Sequence, residues 1–137
     1  GTLILEGNNG FSGQFTIAAG TLQVGTGSTT GTLGSGPMVN NASLIINRAG
    51  TYAAANAISG TGTLTLSGTG TVFLTGASSY DGLTTVSSGL LAIGHATALG
   101  SALGATTIAN GAGIIQHRIR AFCSATRKHN QPPPVQR

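Results

Sequence analysis

Short segments of alternating apolar and polar residues run through the first 116 residues of the chain. In the segment TLTL at 63–66, the leucines fall on one face of an extended backbone and the threonines on the other. The segments LQV at 22–24, VFL at 72–74 and LAI at 91–93 repeat this alternation, and we predict half-buried strands at all four. The side chains predicted to point inwards are Leu3, Leu5, Leu22, Val24, Leu44, Ile46, Leu64, Leu66, Val72, Leu74, Leu91 and Ile93.

Further strands are predicted after glycine-rich turns, at 15–17, 38–39, 84–86 and 106–108. Glycine and asparagine separate the strand segments, as in GNNG at 7–10, because a positive φ costs these residues little. Helical patterns are nearly absent. The segment YAAANA at 52–57 has helical propensity but is short and uncapped, and we predict a turn or bulging loop there.

A longer pattern occurs twice, at residues 1–25 and again at residues 70–94. The offset is constant at 69 residues, since Gly1 returns as Gly70 and Gly13 as Gly82. A shorter spacing of roughly twenty residues lies within this unit. Its apolar markers are Leu3, Leu22, Leu44, Leu64, Val72, Leu91 and Ile114. We interpret the shorter spacing as one coil of a solenoid, so that the longer unit spans about three coils.

Antiparallel hairpins and a parallel β-helix both fit a series of short strands. Hairpins use short turns between paired strands and need no repeat near twenty residues. In a parallel coil, each strand must travel once around before it stacks on its predecessor, and such a repeat is required. The spacing therefore favours an all-β parallel solenoid.

The repeated segment resembles the autotransporter-associated β-strand repeat, also called the passenger-associated transport repeat. The resemblance lies in Gly-Thr-Leu-x-Leu-x-Gly-x-Asn, an aromatic residue, a second short strand and Gly-Thr-Leu-x-Val-Gly, at 1–25 and again at 70–94. It implies a right-handed parallel β-helix in the secreted passenger of a Gram-negative autotransporter. The implied partners are the parent chain's outer-membrane β-barrel and neighbouring repeats. The implied role is a structural stalk that supports export and surface display of an adhesin or effector.

Charge is scarce in the repeat region and concentrated after it. Only 6% of the residues are charged, and the net charge is +4. Five of the six basic residues, Arg118, Arg120, Arg127, Lys128 and Arg137, lie within the last twenty positions. We therefore divide the chain into a solenoid at 1–116 and an irregular, disordered basic tail at 117–137. Since Gly1 already stands inside a repeat, we expect a fragment of a longer chain.

Few residues suit catalysis or metal binding. Glu6 and Asp81 are the only carboxylates and differ in repeat phase, whereas glycosidases need two carboxyl groups ~5 to 9.5 Å apart. The three histidines, His95, His117 and His129, lack ligand-like spacing, and Cys123 stands alone. We predict no enzyme activity, no catalytic, cofactor-binding or metal residues, no cofactor, and no small-molecule substrate. The basic tail lacks an aromatic platform, so nucleic-acid binding is not expected.

A surface-binding role is the alternative. The spacings Thr61-x-Thr63-x-Thr65 and Thr69-x-Thr71 are similar to the hydroxyl arrays of ice-binding β-solenoids, although 22–24 and 91–93 break the array. An adhesin would instead need a specific host-binding surface, for which residues 48–56 are a candidate. Unpaired strand edges at the coil ends also predict self-association.

Overall fold

The protein is a parallel β-solenoid. The computed structural model describes residues 1–10, 12–101 and 104–116, and every regular element in this part of the chain is a β-strand. All described strand pairs are parallel, and they stack in about six turns. This confirms the all-β prediction and rules out the hairpin alternative. The predicted tail at 117–137 lies outside the described residues, and no described helix has the length and apolarity needed to cross a membrane.

The described residues form thirteen strands in three sheets. In chain order they are β1 Thr2–Leu5, β2 Phe15–Ile17, β3 Thr21–Val24, β4 Met38–Asn40, β5 Ser43–Ile46, β6 Thr51–Ala54, β7 Ile58–Ser59, β8 Thr63–Leu66, β9 Thr71–Leu74, β10 Thr84–Val86, β11 Leu90–Ile93, β12 Thr106–Ile108 and β13 Gly113–Gln116. Sheet A has the order β1-β3-β5-β8-β10-β12, sheet B the order β2-β4-β7, and sheet C the order β6-β9-β11-β13. A complete coil passes through sheet A, then C, then B.

The stacking register explains the spacing of roughly twenty residues. The inward row of sheet A consists of Leu3, Leu22, Leu44, Leu64, Thr84 and Thr106, in steps of 19 to 22 residues. A second inward row on sheet C consists of Tyr52, Val72, Leu91 and Ile114. The apolar markers that the sequence shows as one series therefore belong to two sheets, and the series changes sheet between Leu64 and Val72.

The 69-residue repeat returns on a different sheet. Its first copy forms β1, β2 and β3 on sheets A, B and A, whereas its second copy forms β9, β10 and β11 on sheets C, A and C. Each strand has moved forward by one sheet. The unit thus spans about three and a third coils rather than three, because 69 residues exceed three coils of 19 to 22 residues.

Ten of the twelve predicted inward side chains are buried in the core. The exceptions are Leu5, which is half-buried, and Leu3, which is 61% exposed. Both lie in β1, the edge strand of sheet A, where no described coil stacks on the outer side. The alternation pattern correctly gave the direction of these side chains, but burial also requires a neighbouring coil.

The prediction of a turn or bulging loop at 52–57 is wrong for its first residues. Thr51–Ala54 is strand β6, which pairs with β9 and buries Tyr52 and Ala54. Alanine obscures the alternation, since it marks neither an inner nor an outer position clearly. The inward direction of Tyr52 is set by its partner Val72.

Glycines allow successive coils to approach closely at the corners. A Cβ added to Gly82 would overlap the carbonyl oxygen of Gly62, and one added to Gly104 would lie 2.5 Å from the carbonyl oxygen of Gly82. These three glycines occupy the same corner of consecutive coils, just before sheet A. Any side chain there would push the coils apart.

Candidate functional surface

The two carboxylates are not brought together. Glu6 is exposed and follows β1, whereas Asp81 is exposed and precedes β10. Because β3, β5 and β8 lie between those strands, more than ~14 Å separates the two groups along the solenoid. Asp81 Oδ1 accepts a hydrogen bond from Ser101 Oγ at 2.5 Å. The arrangement offers no carboxylate pair for glycoside hydrolysis.

The described histidine is held in a surface turn. His95 is exposed, and its Nδ1 accepts a hydrogen bond from the Thr97 N–H at 3.1 Å. No group of three or more metal-ligating side chains occurs within the described ranges. His117, His129 and Cys123 lie outside the described residues, as does the basic cluster Arg118, Arg120, Arg127 and Lys128.

The outer face of sheet A carries two rows of side chains. The first row contains Thr2, Thr21, Ser43 and Thr63, and the second contains Ile4, Gln23, Ile45, Thr65, Thr85 and Thr107. Hydroxyl groups are in register throughout the first row and from Thr65 onwards in the second, but only β8 presents a threonine in both rows. Thr71 lies on sheet C, so it does not extend this face. The array of paired threonines is limited to one strand.

The outer face of sheet C has two rows of side chains. The apolar row places Ala53, Phe73, Ala92 and Ile115 in register across four strands, and the other row contains Thr51, Thr71, Leu90 and Gly113. Ala92 is only 2% exposed although it points outwards, and Ile115 is 46% exposed. We call Phe73, Leu90, Ala92 and Ile115 the sheet C patch. Alternation predicted that Phe73 and Ala92 face outwards, but the sequence did not show that these four residues share one sheet.

Residues 48–56, a candidate adhesive loop from the sequence, alternate between buried and exposed positions, with Gly50, Thr51, Ala53 and Ala55 exposed. Arg48 is 6% exposed, Tyr52 6% and Asn56 5%. The guanidinium of Arg48 donates to the carbonyl oxygens of Gly31 and of Thr29, the latter at 2.8 Å, and lies 4.7 Å from the centroid of the Tyr52 ring. The segment therefore contributes buried side chains to the core and exposed side chains to the surface, and its role as a binding surface stays a prediction.

The side chains of Arg48, Tyr52 and Asn56 hold the segment 29–36 by hydrogen bonds. This segment runs beside β6 without forming a strand. The Leu33 N–H donates to the Tyr52 hydroxyl at 3.0 Å, and Asn56 Nδ2 donates to the Gly36 carbonyl at 2.7 Å. We call Arg48, Tyr52 and Asn56 the side-chain clamp. Burial raises the pKa of Tyr52 above its ordinary value of 10.0, while the Leu33 hydrogen bond and the Arg48 charge oppose that rise. Side-chain hydrogen bonds replace the missing strand ladder here.

Two polar side chains complete the core on sheet A. Thr84 stacks in register on Leu64 and is 1% exposed. Its hydroxyl forms a 2.6 Å hydrogen bond with the hydroxyl of Tyr80, which is itself fully buried. Burial raises the pKa of Tyr80 above 10.0, and the hydrogen bond with Thr84 lowers it by a smaller amount. The hydrogen bond between Thr84 and Tyr80 satisfies both buried hydroxyls beside the apolar side chain of Leu64.

Comparison with known proteins agrees with this geometry. The family described as passenger-associated-transport-repeat matches residues 1–24 and 67–93. The chain is also 55% identical, over 82 residues, to "Adhesin BmaC autotransporter" of Brucella suis biovar 1 (strain 1330). That alignment covers 60% of this chain but only 2% of the adhesin. No solved structure matches.

The fold defines a repeat protein of the parallel β-solenoid class. Within that class, residues 1–24 and 67–93 are autotransporter passenger-associated transport repeats. The first match contains β1, β2 and β3, and the second contains β9, β10 and β11, so each repeat is a triplet of strands. The family match and the similarity to an autotransporter adhesin indicate a secreted or cell-surface location in a Gram-negative bacterium.

Proposed function

We propose that this segment is a non-enzymatic stalk in an autotransporter passenger, where it supports export and displays an adhesin or effector at the cell surface. The observation that carries the proposal is the continuous inward row of sheet A, in which Leu22, Leu44 and Leu64 stack in register from coil to coil and are almost fully buried. Such a core can grow one coil at a time as the chain emerges from a pore. Burial of each large apolar side chain contributes ~1.5 to 3 kcal/mol.

The implied partners follow from this role. The parent chain's outer-membrane β-barrel would anchor the passenger, and neighbouring repeats would extend the same three sheets. The relative is named an adhesin, which supports display of a binding region by the parent. We propose no small-molecule substrate or cofactor for this segment.

We also propose the division into a solenoid at 1–116 and a separate tail at 117–137. Hydrogen exchange along the whole chain tests it, because amides in stacked coils are protected by the ladder. Protection should recur every twenty residues or so up to about Gly113 and then stop. Protection that continues through Arg118 to Lys128 would show that the tail is part of the folded unit.

Deletion of a whole coil tests the stalk role. Removal of residues 64–83 places Thr84 where Leu64 stood and leaves every later strand in phase, since these residues are register partners. In an autotransporter that carries this segment, the deletion should preserve surface display and adhesion. As a matched control, removal of residues 64–73 takes out half a coil, breaks the phase and should block display.

The sheet C patch favours a second candidate function, a surface-binding module. One row of this face is apolar, whereas the outer face of sheet A is rich in hydroxyl groups, and exposed apolar patches often contact partners. If this candidate is correct, Phe73→Ser should abolish adhesion and leave display unchanged. A stalk predicts that adhesion survives this change as well as the whole-coil deletion.

A further inference from the structure

Residues 29–36 connect β3 to β4 and lie beside β6, the edge strand of sheet C. We call residues 29–36 the strap. Its sequence, TTGTLGSG, contains one large apolar side chain, Leu33, which is 0% exposed. Gly31 and Gly34 have φ angles of 107° and 80°, and glycine loses more conformational freedom on folding than any other residue. The burial that favours the closed position of the strap therefore comes mainly from a single leucine.

Hydrogen bonds that involve side chains hold the strap on both sides. In the described part of the chain, its one backbone-to-backbone bond runs from the Thr32 N–H to the Gly7 carbonyl oxygen, at 3.1 Å. The other bonds on that side join Asn8 or Asn9 to Gly31 or Thr32, and each of them involves a side chain. On the β6 side, the side-chain clamp supplies the partners. Each such bond requires the ordering of a side chain, which a backbone ladder does not.

The clamp also leaves two polar atoms unsatisfied when the strap is closed. Arg48 Nε and Asn56 Oδ1 are the two buried side-chain polar atoms without a hydrogen-bond partner among the described residues. Burial without a partner costs free energy, because the hydration of the atom is lost and nothing replaces it. Movement of the strap away from the clamp would give water access to both atoms. This cost is therefore recovered by opening at the strap and not by opening elsewhere.

We propose that the strap opens as a unit while the three sheets stay folded. Its flanking strands are anchored independently, β3 in sheet A and β4 in sheet B, and both are paired on two sides. Gly25 and Gly27, which also have positive φ angles, precede the strap and supply a hinge. The open state exposes Leu33, Tyr52 and the edge of β6. The fold thus contains a conformational device that uncovers one edge of sheet C between two stacked coils, and this inference does not depend on the stalk role.

Thiol labelling of the full chain measures the opening directly. With Cys123 replaced by serine, Leu33→Cys and Leu64→Cys each place one thiol at a position where the leucine is 0% exposed. Leu64 lies in β8 within the ladder of sheet A, so Leu64→Cys is the matched control. We expect a thiol reagent to modify Leu33→Cys at least tenfold faster. Low urea concentrations should accelerate only the labelling of Leu64→Cys, because global unfolding exposes far more surface than local opening does.

Two further substitutions distinguish local from global opening. Val86→Ala leaves a cavity in β10, which β5 and β8 separate from β3 in sheet A. It destabilises the closed and open states equally relative to the unfolded chain, so it should accelerate labelling of Leu64→Cys at least fivefold and leave that of Leu33→Cys unchanged. Arg48→Met should accelerate labelling of Leu33→Cys at least fivefold, since it removes hydrogen bonds that only the closed strap makes.

Hydrogen exchange of the unsubstituted chain provides an independent measurement. The Leu33 N–H donates to the Tyr52 hydroxyl, whereas the Leu64 N–H donates to the Leu83 carbonyl oxygen at 3.0 Å. The Leu33 amide should exchange at least tenfold faster than the Leu64 amide. Equal exchange of these amides would overturn the proposal. Equal labelling of the two cysteine variants, or equal acceleration of both by Val86→Ala, would also overturn it, because the strap would then open only when the whole solenoid unfolds.

Discussion

The two copies of the repeat follow one sequence pattern but occupy different surroundings. In the first copy, Leu3 is 61% exposed, whereas its counterpart in the second copy, Val72, is 3% exposed. The glycines differ in the same way, since a Cβ on Gly13 would meet nothing within 4 Å while one on Gly82 would overlap a neighbouring carbonyl. The repeat sequence determines the course of the backbone and which side chains point inwards. The neighbouring coils determine how much each of these side chains contributes to stability.

The largest contrast between the copies is expected at their first inward residue. Val72→Asp places a carboxylate in the core, which costs more than ~4 kcal/mol, and should prevent folding. Leu3→Asp at the equivalent exposed position should cost less than ~1 kcal/mol. Urea unfolding monitored by circular dichroism measures both. Equal losses would show that the two copies are equally buried in solution.

A smaller contrast is expected at the corner glycines. Gly82→Ala should destabilise the chain by ~1 to 3 kcal/mol, because the added methyl group forces adjacent coils apart at Gly62. Gly13→Ala meets open space and should be neutral, or stabilising by up to ~1 kcal/mol through the unfolded state. The same urea experiment provides the comparison. If Gly82→Ala were also neutral, the corners would be looser than the structure shows.

The side-chain clamp holds residues 29–36 by side-chain hydrogen bonds, whereas the strands are held by backbone hydrogen bonds between coils. Arg48→Met keeps an apolar stem but loses the donors to Thr29 and Gly31, so we expect a loss of ~1 to 3 kcal/mol. Tyr52→Phe removes only the acceptor for the Leu33 N–H and should cost ~1 kcal/mol. Hydrogen exchange should accelerate in residues 29–36 before it does in β9. Acceleration throughout the chain would mean that the clamp stabilises the whole solenoid.

The smallest expected effect is a change in how the free energy of unfolding depends on pH when Tyr80 is replaced. Tyr80 occupies the aromatic position of the second repeat copy. Tyr80 has a pKa raised by burial, so the folded state keeps its proton more strongly than the unfolded state does. The contribution of Tyr80 to the free energy of unfolding is fully present below about pH 10. It is lost as the pH rises further, because the tyrosine ionises more readily in the unfolded chain than in the folded one. Tyr80→Phe introduces the residue type found at Phe11 in the first copy and should make the alkaline decrease in unfolding free energy shallower. An unchanged slope would contradict the burial of this hydroxyl.

Much of the architecture was predictable because alternation and spacing are local properties. The strands at 63–66 and 84–86, and their parallel stacking, were correctly predicted from periodicity alone. The sheet to which each strand belongs was not, because alternation separates inside from outside but does not distinguish three sheets. Corner lengths make that choice, and the sequence does not indicate them directly.

The polar core residues were missed for a related reason. Arg48 looked like a solvent-exposed loop residue, because its acceptors at Thr29 and Gly31 come from the preceding coil. Thr84 lies in a correctly predicted strand, but its inward direction was not predicted, and its hydrogen bond with Tyr80 explains how a hydroxyl fits beside Leu64. The separation of Glu6 and Asp81 was predictable, since the repeat phase alone places them in different coils.

The most direct test of the account measures which strand lies beside β9. With Cys123 replaced by serine, spin labels at Thr51→Cys and Thr71→Cys should sit on adjacent strands of sheet C, ~5 Å apart, and show strong dipolar broadening. Labels at Thr63→Cys and Thr71→Cys lie on different sheets and should show much weaker broadening. That result would confirm that the repeat returns one sheet further round the solenoid. Strong broadening for the Thr63 and Thr71 pair alone would place β9 on sheet A and contradict the account.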